Sequence, residues 1–190
     1  QPAAVHALVH AINQGLGNVG PVVRYVPAAD REESDDHGAD LSALAEAMAG
    51  RQVQTLLILG GNPAYDAPAD LDFATKLANV AMSVHLSTHR DETSAHCTWH
   101  VPGTHWLEAW GDAQSLDGTV AIQQPLIQPL FSGRSDLELL GLVADAPSYR
   151  GHELVRETFR AANPGNGFER AWRRALNVGV AAAAPSAGTP

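Results

Sequence analysis

The sequence predicts an α/β fold: three layers, with a mainly parallel sheet flanked by helices. Three observations carry this. TLLILG, 55–60, is a nearly continuous apolar run, the pattern of a strand covered on both faces. AMSVHLS, 81–87, is a second strand candidate, and the segment between the two has the spacing of a helix. With the helix that precedes them, residues 41–87 read α-β-α-β, the rhythm of right-handed crossovers in a parallel sheet.

Residues 3–16 are predicted to be helical, with Val5, Leu8, Val9, Ile12 and Leu16 on one stripe of period 3.6. Gly15, Gly17, Gly20 and Pro21 end that helix. VVRYV, 22–26, is a short strand candidate, and DREESDDHGAD, 30–40, an acidic loop. Asp40 is placed to cap a helix carrying Leu41, Leu44, Ala45 and Met48, which Gly50 terminates. A helix over about 68–79 is expected to turn Phe73, Ala74 and Leu77 inward. The stretch 88–132 is rich in His, Trp, Gly and Pro, with short strand candidates at 98–101 and 119–123. Ser135 and Glu138 form a capping box ahead of LELLGLVAD. Residues 151–162 and 166–177 are amphipathic, the latter through Phe168, Ala171, Trp172, Ala175 and Leu176. These last helices are expected to pack at the C-terminal side of the parallel sheet. No internal repeat is visible. One domain over 1–180 and a small-residue, Pro-containing tail over 181–190 are predicted. The start at Gln1 and this tail together read as a piece of a longer chain.

Composition narrows the function. A chain of 190 residues buries roughly 70% of its unfolded surface, so a core needs no staple. The net charge is −9, from 12 basic and 21 acidic side chains. Such a chain repels phosphate backbones and anionic bilayers, which argues against nucleic-acid and membrane-surface binding. No apolar run approaches the ~18 residues of a membrane span, so no membrane insertion is expected. The single cysteine, Cys97, excludes an internal disulfide and any cysteine-only zinc or iron–sulfur site.

The chemistry-bearing stretch is LLILGGNPAYDAP, 56–68. In open α/β sheets ligands bind beyond the carboxyl ends of the strands, and Gly60 and Gly61 let a ligand approach the backbone. The stretch is neither GxGxxG nor GxxxxGK[ST]. No Lys or Arg lies between Gln52 and Ala74, while Asp66, Asp70 and Asp72 crowd the helix end that a phosphate would use. Those carboxylates are expected to cap the helix themselves, leaving a tight turn.

The order of several further motifs adds to this reading. Gly60-Gly61-Asn62-Pro63 is followed by Glu92-Thr93, Val101-Pro102, Glu108, Gly111, Asp117-Gly118, and Gln123 near Pro125, and the opening helix ends in LGNVG. Over about residues 1–145 the chain resembles the molybdopterin oxidoreductase superfamily. It is most similar to the N-terminal molybdopterin-type domain of the large iron–sulfur subunit of alternative complex III and its relatives in quinol-oxidising respiratory complexes. It departs from the superfamily pattern at Thr98, Asp112 and Thr119, where the pattern has Asp, Thr and Arg. The resemblance implies a vestigial pterin crevice at Gly60, Gly61, Asn62, Pro63, Glu92 and Thr93. It implies that the molybdopterin has been lost, and that iron–sulfur clusters sit in another domain of the parent chain. It also implies cytochrome and membrane subunits as partners, and a place on the periplasmic side of the bacterial inner membrane.

Other candidates carry bland readings. His85, His89, His96, Cys97, His100 and His105 lie close together in sequence. If CTWHVP is a strand, His96 and His100 share a face but stand about 13 Å apart at ~3.3 Å per residue, too far for one ion. Hydrogen-bonded histidines at an interface are expected instead, with no metal site. His6 and His10 fall off the apolar stripe and are expected to be exposed. Cys97 is read as a small buried residue rather than a nucleophile. Asp91, Glu92 and Glu108 are read as organising loops through hydrogen bonds rather than as acid–base catalysts. Trp99, Trp106 and Trp110 are expected to form one aromatic patch that packs in a core or interface. No catalytic residue and no cofactor is assigned to this chain. The expected function is a non-catalytic scaffold domain of a respiratory electron-transfer subunit. Two alternatives are part of an active molybdenum or tungsten bis-pterin oxidoreductase, and a histidine-based metal-binding domain.

Overall fold

A computed structural model describes residues 2–25, 37–115 and 118–181. β1 (Thr55–Leu59) and β2 (Met82–Ser87) pair in parallel, with Thr55 opposite Met82 and Leu59 opposite Leu86. β3 (Trp99–Pro102) pairs in parallel with β2, with Val84 opposite Trp99. The α/β class with a parallel sheet is therefore what the protein has, as a three-stranded sheet in the order β1-β2-β3.

Helices cover this sheet because apolar side chains recur on facing surfaces. α2 (His37–Ala49) buries Ala45 and Met48, and α4 (Phe73–Leu77) buries Phe73 and Leu77. With Val80 these form one core, against which Leu56 and Ile58 of β1 pack. Each large side chain buried there contributes roughly 1.5–3 kcal/mol. The helix predicted over 68–79 is divided. A 3-10 turn, Ala69–Leu71, meets α4 at Asp72, whose φ of 47° is left-handed. That conformation disfavours an L residue, and Asp is among the few side chains that tolerate it.

A second sheet is antiparallel. β4 (Gly111–Gln114) pairs with β5 (Val120–Gln123), which also pairs with β6 (Val180–Ala181). α7 (Gly151–Ala162) and α8 (Phe168–Val178) pack Val155, Phe159, Phe168, Trp172 and Ala175 with Ile122 of β5. These helices were expected at the C-terminal side of the parallel sheet, but their apolar stripes cover the antiparallel one. α6 (Asp136–Val143) starts at the predicted capping box, with both of its hydrogen bonds formed. The parallel sheet is tied to the loop ahead of α6 where Pro102 ends β3. Thr104 N–H donates to the Arg134 carbonyl (3.0 Å) and Arg134 N–H to the Pro102 carbonyl (2.9 Å). A Cβ on Gly133 would stand 2.9 Å from that Pro102 oxygen, so only glycine fits the crossing.

Several expectations need correction. α1 (Ala3–Gly15) exists, but it buries none of its residues, and Leu8 of its apolar stripe is 62% exposed. Periodicity identifies a face and does not supply a neighbour. VVRYV makes no strand within its described residues, only an isolated bridge from Val23 to Val19; Val26 and loop residues 30–36 lie outside the described ones. Asp40 does not cap α2, which begins earlier, at His37. β6 reaches Ala181, and the rest of the expected tail, 182–190, lies outside the described residues.

Candidate functional site

The parallel pairing continues one bond beyond β1: Gly60 N–H donates to the Leu86 carbonyl at 2.8 Å. The chain then turns through Gly60 and Gly61, both at φ 68°. Two left-handed residues in succession demand glycine. The turn delivers Asn62 and Pro63 to α3 (Pro63–Asp66), with Pro63 at the first helical position, where its missing N–H costs nothing.

Opposite this turn stands α5 (Glu92–His96). Asn62 joins the two, and every polar atom of its side chain is engaged. Its Oδ1 accepts from Thr93 N–H (3.1 Å) and from the Thr93 hydroxyl (2.7 Å). Its Nδ2 donates to Glu92 Oε2 at 2.7 Å. Thr93 Oγ1 in turn accepts from Ala64 N–H at 2.9 Å. Thr93 is fully buried, which makes this satisfaction obligatory. The Asn62 bond holds the Glu92 carboxyl below its ordinary value.

Beneath the turn lies His85 of β2, 0% exposed. Its Nε2 is 3.1 Å from the Gly61 carbonyl oxygen and its Nδ1 2.9 Å from Ser94 Oγ. The Ser94 hydroxyl also stands 3.0 Å from His100 Nδ1 and 3.1 Å from Asp91 Oδ1. Asp91 caps α5 by accepting from Ser94 N–H at 2.9 Å and lies 3.5 Å from His85. Burial pushes the Asp91 carboxyl up, but the Ser94 hydrogen bonds and the nearby His85 together hold it below its ordinary value.

The six residues predicted for the crevice, Gly60, Gly61, Asn62, Pro63, Glu92 and Thr93, are thus brought together at the carboxyl ends of the parallel strands. The expected carboxylate caps are not formed: Asn62 and Pro68, not Asp66 or Asp70, hold the N-cap positions of α3 and of the 3-10 turn, and Asp72 at the N-cap of α4 makes no side-chain bond to its helix. The site fits an anionic pyrophosphate-bearing group poorly. Its Asn and Thr side chains already bind one another, its flanks carry Asp91 and Glu92, and the cation nearest to these in sequence is Arg90.

The remaining candidates scatter. His96 ends α5 and His100 lies in β3, so the strand spacing expected between them does not apply. Among the described residues no group of three His, Cys, Asp or Glu side chains could hold a metal ion. His6 and His10 are exposed, and His10 Nδ1 meets the Tyr25 hydroxyl at 2.7 Å. Cys97 packs against the α2–α4 core, and burial pushes its thiol up, away from the thiolate a nucleophile needs. The three tryptophans do not form one patch. Trp110 stacks with Trp172, Trp106 sits beside His105, and Trp99 is 63% exposed. Glu108 Oε2 accepts from His105 N–H, and Gln123 Nε2 donates to the Ala109 carbonyl. Thr98, where the superfamily pattern has Asp, exchanges bonds with Ser83. Asp117 lies outside the described residues. A cavity of about 430 Å³ between β4, β5 and α7, lined by Gln114, Val120, Thr158 and Phe159, is separate from the crevice.

Sequence reasoning missed His85 and Ser94 as parts of this site. The signal was there: a histidine inside the apolar run AMSVHLS must find partners for both ring nitrogens once it is buried.

No family model matches the chain. It is similar to the menaquinone reductase molybdopterin-binding-like subunit of Nitratidesulfovibrio vulgaris, with 28% identity over 136 residues, or 64% of this chain. The chain spans about one fifth of that relative's length, 20%. The similarity supports a molybdopterin-oxidoreductase-like relationship. Among the described residues no helix is long and apolar enough to cross a membrane.

Proposed function

We propose that this chain is a non-catalytic, molybdopterin-oxidoreductase-like scaffold within a subunit of a quinone-linked respiratory complex. The observation that carries this is the Asn62 clasp. An amide whose oxygen accepts from both Thr93 donors and whose nitrogen donates to Glu92 braces two loops, and its acceptor capacity is filled from within the chain. The relative's printed name, a molybdopterin-binding-like subunit of a menaquinone reductase, supports the respiratory setting. In this reading quinone chemistry belongs to the whole complex, and electrons pass through iron–sulfur clusters carried elsewhere in the parent. The parent resembles the large iron–sulfur subunit of alternative complex III, docks cytochrome and membrane subunits, and faces the periplasm.

A second reading, part of an active bis-pterin oxidoreductase, draws on one observation. A Cβ at Gly60 would meet nothing within 4 Å, so the turn is open to close approach from outside.

Gly61→Asp separates the two readings in the assembled parent complex. The scaffold reading expects turnover to fall only in proportion to lost assembly and stability, because at φ 68° even Asp, which tolerates the left-handed region better than most L residues, is less at ease than glycine. Lost turnover with assembly and thermal stability intact would contradict it.

A further inference from the structure

We propose that Ser94 is the centre of a hydrogen-bond relay that couples half-buried His100 to the Gly61 turn through fully buried His85. In it, a contact made at His100 from solvent alters how the crevice turn is held. The proposal rests on the reading above only in placing the functional end of the relay at that turn.

Proton bookkeeping fixes the logic. The Gly61 carbonyl can only accept, so His85 Nε2 carries a proton and donates to it. In a neutral ring His85 Nδ1 must then accept, and the donor facing it at 2.9 Å is the Ser94 hydroxyl. That hydroxyl has one proton for three neighbours: His85 Nδ1, His100 Nδ1 and Asp91 Oδ1. When it donates to His85, His100 Nδ1 must be the donor into the Ser94 oxygen, and Asp91 keeps only the Ser94 backbone N–H. When it turns to Asp91, His85 Nδ1 needs a proton of its own, and the resulting cation faces Asp91 at 3.5 Å. The tautomer of His100 and the hydrogen bonding of His85 are therefore not independent. The other ionisable groups of the surrounding elements do not join the chain: Glu92 is bound to Asn62, His96 is exposed at the end of α5, and Cys97 packs in the core.

His85 has leverage because the turn is intrinsically loose. Two glycines at φ 68° sample many other conformations, and His85 holds the Gly61 carbonyl. Asn62 follows directly, and its carbonyl accepts from Tyr65 N–H and Asp66 N–H to start α3. A change in the grip on Gly61 thus reaches the first turn of that helix.

The test is a double-mutant cycle on the full chain with His100→Phe and Ser94→Ala, neither of which touches Gly61. It is read by the ¹⁵N signals of the His85 ring and by amide exchange at Tyr65 and Asp66. His100→Phe is expected to shift the His85 ring signals and speed exchange at those amides roughly threefold to tenfold, the factor for part or all of one hydrogen bond. In the Ser94→Ala background the same change should have no further effect, because the shared hydroxyl is gone. Unchanged His85 signals in His100→Phe would overturn the relay. So would an equal effect in both backgrounds, since the coupling would then run through the edge contact of the two rings, whose centroids are 6.2 Å apart. A parent complex that contained pterin would sink the scaffold reading and leave the relay standing.

Discussion

The two sheets of this protein are held by different physics. In and around the parallel sheet, buried side chains are held by polar contacts: His85, Ser83, Thr93 and Ser94 are each at most 4% exposed, and each is hydrogen-bonded. Around the antiparallel sheet the fixing residues are aromatic. Trp172 stacks with Trp110 and meets Phe159, while Arg160 lies over the Phe168 ring at 4.5 Å. Polar networks specify one geometry and are costly when half satisfied, whereas aromatic packing supplies most of its energy through area. A shape conserved at atomic detail is therefore expected at the crevice, and bulk cohesion at the other end.

The largest expected effect breaks the aromatic side. Trp172→Ala should cost about 3–5 kcal/mol by leaving a cavity among Phe159, Trp110 and Ala175. Chemical denaturation measures it, and exchange at the β1–β2–β3 amides should change less than at β4 and β5. A smaller effect sharpens the polar side. Thr93→Val keeps the shape but strips one donor from Asn62 and leaves Ala64 N–H without its acceptor, which should cost about 1–3 kcal/mol. The same denaturation series reads it, with exchange rising at Ala64.

The smallest is a pH effect confined to the crevice. The folded-state carboxyl of Asp91 lies below its ordinary 3.8. A lowered value means its contribution is fully present above the unfolded pKa and is lost as pH falls through the folded one. Wild type should therefore be more stable than Asp91→Asn near neutrality, and the two unfolding curves should converge below about pH 4. A gap that persisted unchanged into acid would show that the capping carboxylate does not titrate with the fold.

The sequence disclosed the crevice better than its surroundings. Gly60-Gly61-Asn62-Pro63 after an apolar run marks a strand end and a tight turn, and the family resemblance implies Glu92 and Thr93 beside it, while the short helix α5 that carries them has no signal in the apolar spacing. The sharing of one Asn62 oxygen between two Thr93 donors is three-dimensional and has no periodic signature. Apolar spacing predicts one helix over 68–79, and the acidic residues around Asp72 mark where the chain breaks instead. Nearness in sequence groups Trp99, Trp106 and Trp110. Yet Trp110 finds Trp172 across a long stretch of chain, and Trp99, at the start of β3, stays exposed. The stripe of α1 was legible as a face, and nothing local could show that no described element covers it.

The most direct test of the central claim is the metal and pterin content of the purified full-length parent complex: molybdenum, tungsten, iron and zinc per chain, together with fluorescence of released pterin. The scaffold account predicts iron without molybdenum, tungsten or pterin. Molybdenum or tungsten near one per chain, accompanied by pterin, would contradict it and place a working cofactor above the Gly60–Asn62 turn.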